Sequence, residues 1–288
     1  MYHIVLNPVA GKKKALKNLE VLEALFQSRG VAYEVHTSTA ERETTEIVRK
    51  ITQEKDQDVI VLGGDGTLHE ALNGIVDPSA CRLGLIPSGT GNDFAETAGI
   101  PLDPQKAAEL ILDCEAKETD CLEIGGVRCM NVGGLGIDVD VLERCNRGKK
   151  RGKAKYLKSL IQSLFAFKGM KVIVENEGKS EEKSVLIAAA CNGTQFGGGI
   201  KICPTAEIDD GKMDVITVDC IGGVFKIIGA FIQLMKGRIL QYPLTKHFRC
   251  DAVKFVSDKP CVAQLDGELY KELTFEAKVV RGLKFYRP

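Results

Sequence analysis

The sequence predicts two domains, an α/β domain at residues 1–122 and a β-rich domain at residues 123–288. Three observations support this division. Strands and helices alternate in the first part of the chain, glycine-rich loops follow successive strands there, and short strand segments dominate after about Asp120. Alternation at this spacing is typical of a parallel, doubly wound sheet.

The first domain is predicted to alternate short β-branched strands with longer helices. The strands occupy Tyr2–Leu6, Val31–His36, Asp58–Leu62 and Arg82–Ile86. The helices occupy Lys13–Gln27, Glu41–Glu54, the stretch from Thr67 to Ile75, and Phe94–Ala98. Apolar residues three positions apart in the first helix predict a buried face of Leu16, Leu19, Leu22 and Leu25.

The second domain is predicted to consist of short strands separated by glycine, aspartate and asparagine turns. The strands occupy Val127–Asn131, Lys171–Glu175, Ser184–Ala190, Met213–Val218, Phe248–Ser257 and Val262–Leu265. Two helices, Ala154–Lys168 and Gly223–Lys236, interrupt them. Many short strands with such turns are typical of a sandwich or barrel.

Composition limits the class of protein. The chain has 288 residues, 44% of them hydrophobic and 27% charged, so a folded globular protein is expected. The 39 basic and 39 acidic side chains cancel, which gives no overall attraction to nucleic acid, and we expect no nucleic-acid partner. The ten cysteines form no CxxC pair. With no signal-peptide pattern at the start, reduced thiols in a soluble, cytoplasmic protein are expected.

Three glycine-bearing loops follow predicted strands of the first domain. They are Asn7–Gly11, Gly63–Thr67 and Ser88–Asp93. Ligands of open parallel sheets bind at the carboxyl ends of strands, where glycines let the backbone approach a phosphate and helix N-termini direct N–H groups at it. Any one of these loops could be only a turn, but three together predict a phosphate site. Asp65 would repel a phosphate unless a metal bridges them, so the loop also predicts Mg²⁺.

The second loop, Gly-Gly-Asp-Gly-Thr at Gly63–Thr67, is neither a Walker A loop nor a GxGxxG fingerprint. This run is shared with phosphofructokinase-like and NAD kinases. Further motifs follow it: Gly89-Thr90-Gly91-Asn92-Asp93, Gly197-Gly198-Gly199, Asp209-Asp210-Gly211 and Asp266-Gly267-Glu268. With all of them, the chain resembles nearly end to end the diacylglycerol kinase catalytic-domain superfamily, in particular the small bacterial soluble lipid kinases of the YegS-like type.

The resemblance implies a phosphofructokinase/NAD-kinase-like N-terminal domain, a C-terminal β-sandwich domain, an active site in the interdomain cleft, and last residues that return to the first domain. It implies transfer of the ATP γ-phosphate to a lipid hydroxyl, most simply from diacylglycerol to phosphatidic acid in phospholipid biosynthesis. By position, ATP contacts fall on Asn7, Pro8, Gly11, Thr37, Gly63, Gly64, Asp65, Gly66, Thr67, Glu70 and Thr90.

The resemblance also implies roles for acidic residues. Glu268 stands at the position of the general base, although Asp266-Gly267-Glu268 by itself favours a hairpin turn. Asp65, also counted as catalytic, and Asp120 match positions linked to the catalytic magnesium. A structural Mg²⁺ site falls on the turn around Asp210, with its carboxylate and the backbone carbonyls of Glu207 and Lys212 as ligands.

Two further segments suggest where a lipid could bind. The stretch Arg144–Lys158 carries eight basic residues and no acidic one, which favours contact with an anionic membrane surface or, alternatively, a solvated loop before a core helix. Asn192, Phe196 and the triple glycine are predicted to border the substrate cleft. A location peripheral to the inner face of the cell membrane is therefore expected, with a homodimer through an exposed sheet edge as a possible assembly.

The alternatives left open concern the acceptor and the activity. The acceptor could be another lipid alcohol, such as a sphingoid base or phosphatidylglycerol. The chain could instead be an NAD kinase, or a nucleotide- and lipid-binding sensor without catalysis.

Overall fold

The computed structural model describes residues 1–40, 42–146, 158–159, 161–163, 166–221, 223–257 and 262–288. The chain divides into two compact units. Unit 1 contains Met1–Cys121 and Val280–Pro288, and unit 2 contains Leu122–Val279. None of the helices within these described ranges is both long and apolar enough to cross a membrane.

Unit 1 is a parallel sheet with helices between its strands. The strands are β1 (Tyr2–Leu6), β2 (Tyr33–Thr37), β3 (Gln57–Gly63) and β4 (Cys81–Pro87). The helices are α1 (Lys14–Ser28), α2 (Glu43–Ile51), α3 (Asp65–Gly74), α4 (Asp93–Thr97) and α5 (Pro104–Asp113). The strands lie in the order β2-β1-β3-β4, and every neighbouring pair is parallel. The predicted α/β alternation is therefore confirmed.

The end of the chain joins the sheet of unit 1. The last strand, β15 (Phe275–Phe285), places Lys284 and Phe285 opposite β4 in a parallel pairing. The Tyr286 hydroxyl then donates to Asp58 Oδ1 at 2.6 Å, and Arg82 Nε donates to the same oxygen at 2.5 Å. Burial opposes ionisation of Asp58, but the Arg82 and Tyr286 contacts outweigh it and lower its pKa. A charged cluster thus fastens the C-terminus beside β3.

The buried face of α1 differs from the predicted one. Ala15, Asn18, Leu22 and Phe26 are buried, whereas Leu16 is 38% exposed. Asn18 can lie inside because its Nδ2 donates to Ser88 Oγ at 2.8 Å, which satisfies a polar group that would otherwise be costly to bury. The leucine pattern therefore predicted a buried helix face that is displaced by about one residue from the observed one.

Unit 2 is built mainly of antiparallel strands. They are β5 (Lys117–Ile124), which begins in unit 1, β6 (Val127–Cys129), β7 (Val132–Gly136), β8 (Met170–Asn176), β9 (Lys179–Cys191), β10 (Met213–Asp219), β11 (Thr245–Cys250), β12 (Ala252–Ser257), β13 (Val262–Leu265) and β14 (Glu268–Lys271). The helices are α6 (Ile137–Asn146) and α7 (Val224–Met235). β9 is long enough to pair with β8 near its start and with β7 and β10 near its end.

Two hydrophobic cores lie on opposite faces of the central strands of unit 2. Val215 on β10 belongs to one core, together with Phe255 and Phe275. Its neighbour Ile216 belongs to the other, which α7 covers. Successive residues of a strand face opposite sides, so one strand supplies both cores.

Several predicted elements of this unit need correction. Phe248–Ser257 is two strands rather than one, because Cys250 is buried on β11 whereas Val253 and Phe255 are buried on β12. Residues three apart cannot share a face of one strand, so the chain must break at Asp251. The strands β5, β7, β14 and β15 were not predicted. Seven of the fifteen residues of the predicted helix Ala154–Lys168 lie outside the described residues.

Candidate functional site

The three predicted loops of unit 1 contact one another at the carboxyl ends of β1, β3 and β4. Asn7 Nδ2 donates to Thr67 Oγ1 at 3.1 Å, which joins the first loop to the second. The Ser88 backbone N–H donates to the Gly63 carbonyl at 2.7 Å, which joins the third loop to the second. Gly11, at φ +57°, passes so close to Ser88 that a β-carbon there would lie 2.0 Å from the Ser88 carbonyl oxygen.

A second close approach between loop backbones lies between Gly64 and Gly89. A β-carbon on Gly64 would stand 2.8 Å from the Gly89 Cα, and one on Gly89 would stand 2.6 Å from the Gly64 Cα. Real β-carbons do not come this near to other backbone atoms, so neither position has room for a side chain. The glycines are therefore needed to bring two loop backbones together, whatever they bind.

The Asp65 carboxylate ties the second loop to the third. Its oxygens accept the backbone N–H of Asn92 at 2.7 Å and of Phe94 at 3.3 Å, at the start of α4. Asn92 Oδ1 in turn accepts the Gly89 N–H at 2.9 Å. The predicted association of Asp65 with magnesium stays a prediction. The hydrogen bonds of its carboxylate hold the second loop to the third.

The beginning of α3 offers N–H groups to an anion. Gly64 precedes the helix and provides no side-chain cap, so the first turn retains the orphan backbone donors of a helix N-terminus. Thr37 and Thr90 are exposed at the ends of β2 and β4. Glu70 lies one turn further along α3, where its Oε1 accepts the Arg42 N–H at 3.3 Å. These features fit a phosphate-bearing ligand.

The remaining predicted ATP and metal residues of unit 1 differ in exposure. Pro8 and Gly66 are half-buried in their loops. Asp120 is 5% exposed on β5. Its predicted role at the catalytic magnesium stays a prediction.

In unit 2, the Asp266-Gly267 turn is held rigidly. Leu265 pairs with Glu268 across it, so it is a two-residue hairpin turn with φ of 51° and 89°. The Asp266 carboxylate accepts the backbone N–H groups of Met130 at 2.7 Å and Asn131 at 2.8 Å. The expected hairpin is confirmed, and it presents Glu268 as an exposed first residue of β14.

The Asp210 carboxylate contacts other groups of the protein through both oxygens, and the predicted structural magnesium site at this turn stays a prediction. One Asp210 oxygen accepts the Lys212 backbone N–H at 2.9 Å, and the other forms an ion pair with Arg249. The Lys212 ammonium lies 2.5 Å from Asp251, and Glu207 is exposed. A cation at this turn would compete with the Arg249 guanidinium for the same carboxylate.

Unit 2 also contains an apolar cavity, which encloses about 560 Å³ of space including its opening to solvent. Aliphatic and phenylalanine side chains from β9, β10, α6, α7 and the triple-glycine loop line it, among them Ile137, Ile187, Phe196, Val218, Ile227 and Leu234. An almost wholly apolar lining of this kind is typical of binding sites for hydrophobic small molecules.

The triple-glycine loop forms part of the cavity wall. Gly197, Gly198 and Gly199 all have positive φ, and the loop is closed by reciprocal backbone hydrogen bonds between Phe196 and Ile200. Asn192, predicted to border the substrate, is buried, and its Nδ2 donates to the Met130 carbonyl at 2.8 Å. Of the basic segment, residues 147–157 lie outside the described residues, and Arg144 pairs with Asp140 at 2.7 Å.

Asp138 is a cavity residue that the sequence reasoning missed. It is the charged member of the lining, at the start of α6. Burial raises its pKa to about 6, against hydrogen bonds from the Val139 backbone and the Gln264 side chain. Gly134 makes room for it, since a β-carbon there would lie 2.3 Å from Asp138 Oδ2. A glycine-rich strand with an aspartate two residues after its end was the available signal.

Both parts of the chain match known families. Residues 1–124 match the diacylglycerol kinase catalytic domain. Residues 131–283 match the YegS C-terminal NAD kinase beta sandwich-like domain, so unit 2 has the expected sandwich-like class of fold.

Relatives of similar length exist. A Xanthomonas campestris pv. campestris (strain 8004) protein named "Probable lipid kinase YegS-like" is 31% identical over all of this chain and 96% of its own length. The diacylglycerol kinase of Bacillus subtilis (strain 168) is 25% identical over 92% of this chain and 88% of its own. Two structures from Bacillus anthracis str. Sterne align with the whole chain. One, described as "a putative diacylglycerol kinase", is covered to 95% with a TM-score of 0.82 at 24% identity. The other, described as a diacylglycerol kinase, is covered to 96% with a TM-score of 0.75 at 21% identity.

The first prediction concerns the Gly64–Gly89 contact. Gly64→Ala should weaken binding of a fluorescent ATP analogue at least about tenfold, because the added methyl group separates two loops that must act together. Overpacking should also cost about 1–3 kcal/mol of unfolding free energy. Affinity is measured by fluorescence titration and stability by urea denaturation.

Gly30→Ala is the matched control. Gly30 also has a positive φ of 65°, but no atom lies within 4 Å of a β-carbon there. This variant should lose about 1 kcal/mol of stability through backbone strain and keep its nucleotide affinity. Equal nucleotide affinities in the two variants would contradict the role assigned to the glycine contact.

The second prediction concerns the pH dependence of stability at Asp138. Its folded pKa of about 6 lies above the unfolded value of about 3.9, so the folded protein binds the proton more tightly. The unfolding free energy therefore falls as pH rises from about 4 to 6 and stays lowered above that range. Asp138→Asn should stabilise the protein by about 3 kcal/mol at pH 8 and by about half of that at pH 5.

Urea denaturation at the two pH values measures this difference. Asp113→Asn is the control, because Asp113 is an exposed partner of Arg29 and its loss should change stability by less than about 1 kcal/mol at either pH. The same gain for Asp138→Asn at pH 5 and at pH 8 would show that its carboxyl does not titrate as proposed.

Proposed function

Because this chain belongs to the YegS-like lipid kinase family with a diacylglycerol kinase catalytic domain, we propose that it transfers the γ-phosphate of ATP to a lipid hydroxyl, with diacylglycerol as the leading acceptor. The apolar cavity of unit 2 is the observation that carries this proposal. An NAD kinase binds a polar dinucleotide and would have no use for such a cavity, whereas acyl chains need one.

The nucleotide is assigned to the three loops of unit 1. The uncapped start of α3 supplies N–H donors for phosphate oxygens, and the exposed Thr90 hydroxyl adds a donor on the third loop. Magnesium, when bound with the nucleotide, would neutralise the charge that phosphoryl transfer spreads over the phosphate oxygens. Asp65 and Asp120 are the acidic side chains proposed to serve it.

The acceptor is assigned to unit 2. Its acyl chain would replace empty apolar space in the cavity, which gains about 25 cal/mol for each Å² removed from water. The Asp138 oxygens are buried against Gly134 rather than exposed to the cavity, so a polar group of the lipid would reach this carboxylate only after the cavity wall shifts. After that shift, a lone carboxylate in an apolar lining would fix the depth to which the lipid enters.

Glu268 is proposed to act as the general base. The acceptor oxygen attacks the γ-phosphorus, the bond from that phosphorus to the β–γ bridging oxygen breaks, and ADP leaves. The hydroxyl proton passes to the Glu268 carboxylate late in the transfer. Asp266 holds the turn that carries Glu268 through backbone hydrogen bonds, so the base is presented on a rigid hairpin rather than a loose loop.

A sphingoid base is a second acceptor class that one observation favours. An ionised Asp138 in an apolar cavity would attract the ammonium group of such a lipid more strongly than a neutral hydroxyl. Diacylglycerol remains the first choice because a relative that aligns with 92% of this chain is named diacylglycerol kinase.

Helix α7 is proposed to contact the membrane that holds the lipid. Ile227 and Leu234 on its inner side line the cavity, while Phe225 and Met235 on its outer side are 85% and 48% exposed. Exposed apolar groups of this kind mark interaction surfaces, and the neighbouring Lys226 adds attraction to anionic headgroups. One helix would thus join the cavity to the bilayer surface.

The third prediction tests the function. The purified chain, incubated with radiolabelled ATP and Mg²⁺, should phosphorylate diacylglycerol in mixed micelles from a panel that includes a sphingoid base, phosphatidylglycerol and NAD. Glu268→Ala and Asp65→Ala should each lower kcat by at least about 100-fold, the usual size of a lost base or charge-organising group. Asp138→Asn should mainly raise KM for the lipid.

Three outcomes would count against parts of this scheme. If the chain bound ATP and Mg²⁺ but phosphorylated no lipid, the enzyme proposal would be wrong and a nucleotide-binding sensor would be the better interpretation. Phosphorylation of NAD and of no lipid would show that the chain is an NAD kinase instead of a lipid kinase. Full activity of Glu268→Ala would remove the assigned base while leaving the lipid kinase proposal intact.

The fourth prediction tests the membrane contact of α7. Phe225→Ser should lower sedimentation with phosphatidylglycerol vesicles several-fold, because a buried phenylalanine is worth about 1.5–3 kcal/mol. It should also raise KM for diacylglycerol presented in vesicles. Leu102→Ser is the control, since Leu102 is 54% exposed in unit 1 and should not affect sedimentation. Unchanged sedimentation of Phe225→Ser would end the proposal.

A further inference from the structure

Two histidines and a glutamate meet on one face of β1 and the edge strand β2. The parallel register sets His3 opposite Glu34 and Val5 opposite His36. Alternate residues of a strand share a face, so Glu34 and His36 project on the same side as His3. His3 Nδ1 lies 3.1 Å from His36 Nε2, and each of these nitrogens lies 3.8 Å from Glu34 Oε2.

These separations suit one metal ion. With bonds of about 2.0–2.2 Å to nitrogen and oxygen, a tetrahedral ion holds its ligand atoms roughly 3.3–3.5 Å apart. The three observed distances lie within about half an ångström of that range. Imidazole and carboxylate together favour zinc and neighbouring first-row ions over magnesium or calcium, which prefer oxygen ligands. Three protein ligands leave a fourth position for water.

A neighbouring glutamine sets the protonation of His3 for this role. Gln57 Nε2 donates to the Lys55 carbonyl at 2.9 Å, so its Oε1 is the atom that lies 3.1 Å from His3 Nε2. A carbonyl oxygen can only accept, and His3 Nε2 must therefore carry the proton. The lone pair of a neutral His3 then lies on Nδ1, the nitrogen directed at His36. Metal-binding histidines are typically oriented by such an outer hydrogen bond.

The other ligands are accessible and available. The Glu34 side chain is 56% exposed, which leaves a path for an ion to enter. The His36 side chain is 24% exposed, and its Nε2 lies 3.8 Å from Glu34 Oε2. A neutral imidazole and an ionised carboxylate are the forms that bind metals.

We propose that His3, Glu34 and His36 bind a single zinc-like divalent ion that clips the edge strand β2 to β1. β2 pairs with β1 alone among the described strands, so its outer side has no hydrogen-bonding neighbour. A metal bridge between the two strands holds that edge in register. Ligands that bind only the folded chain stabilise it by mass action.

A second cluster of metal-ligating atoms in the described chain provides an internal comparison. Cys203, Asp214 and His247 each place a ligand atom within 4.8 Å of the others. Here His247 and Asp214 are already in contact at 2.5 Å, and burial raises the pKa of Cys203 to about 12. A metal would have to separate that pair and deprotonate a buried thiol, so we place the ion at His3.

The test uses tag-free full-length protein stripped with EDTA. Cobalt(II) is added while visible absorption is recorded, and Zn²⁺ binding is measured by calorimetry. One equivalent should bind without a sulfur-to-cobalt charge-transfer band, because the proposed site has only nitrogen and oxygen ligands. His36→Gln and Glu34→Gln should each weaken binding at least about tenfold, and Gln57→Leu about 10–100-fold through loss of the orienting hydrogen bond.

His247→Gln is the matched control, since it removes a histidine from the other cluster. It should bind cobalt like the wild type and keep the rise in melting temperature that Zn²⁺ gives, whereas His36→Gln should lose that rise. The proposal is overturned by an absence of saturable binding, by unchanged affinity in His36→Gln and Glu34→Gln, or by a sulfur band that disappears with His247→Gln.

Discussion

The close approach of Gly64 and Gly89 is the contact on which the phosphate loops of unit 1 depend. Parallel strands bring loop ends to one edge of a sheet, but they do not by themselves bring them into contact. Here the absence of two side chains lets the backbones touch, and Asp65 holds the arrangement by capping α4. The same glycines that suggest phosphate binding in the sequence thus serve first to pack the loops. Their two roles agree, because a cradle of backbone N–H groups must be rigid before it can select an anion.

Unit 2 meets a different requirement, since an apolar cavity must stay open inside a packed protein. Part of its wall is a loop that its own hydrogen bonds hold in shape. The triple-glycine loop, which contributes Phe196 and Ile200 to the lining, is closed by paired hydrogen bonds between these two residues. The buried Asp138 adds a cost that pure packing would avoid. Ligand-binding sites commonly contain residues that lower the stability of the folded protein in this way.

Much of unit 1 could be predicted from the sequence because its strands are buried runs that end in glycine. The predicted strand at Asp58–Leu62, for example, falls within β3, Gln57–Gly63. Unit 2 was harder because its long-range pairings leave weak local signals. β15 carries an interior Gly282 at φ +90°, and β7 is mostly glycine, so neither has the composition of a strand. The pairing partners of such segments, rather than their own residues, make them strands.

The acidic residues show where sequence reasoning reaches its limit. Asp65 and Asp266 stand in motifs that suggest catalysis, yet the contacts described make both of them acceptors for backbone N–H groups. Asp138 belongs to none of the quoted motifs, yet it is the carboxylate in the cavity lining. The spacing of residues along the chain cannot distinguish a structural carboxylate from a ligand-binding one. Both are written as the same aspartate or glutamate in the sequence. Only the partners of each oxygen distinguish them. Asp65 and Asp266 hold loop backbone in place, while Glu268 and Asp138 stay the side chains proposed to handle the proton and the lipid.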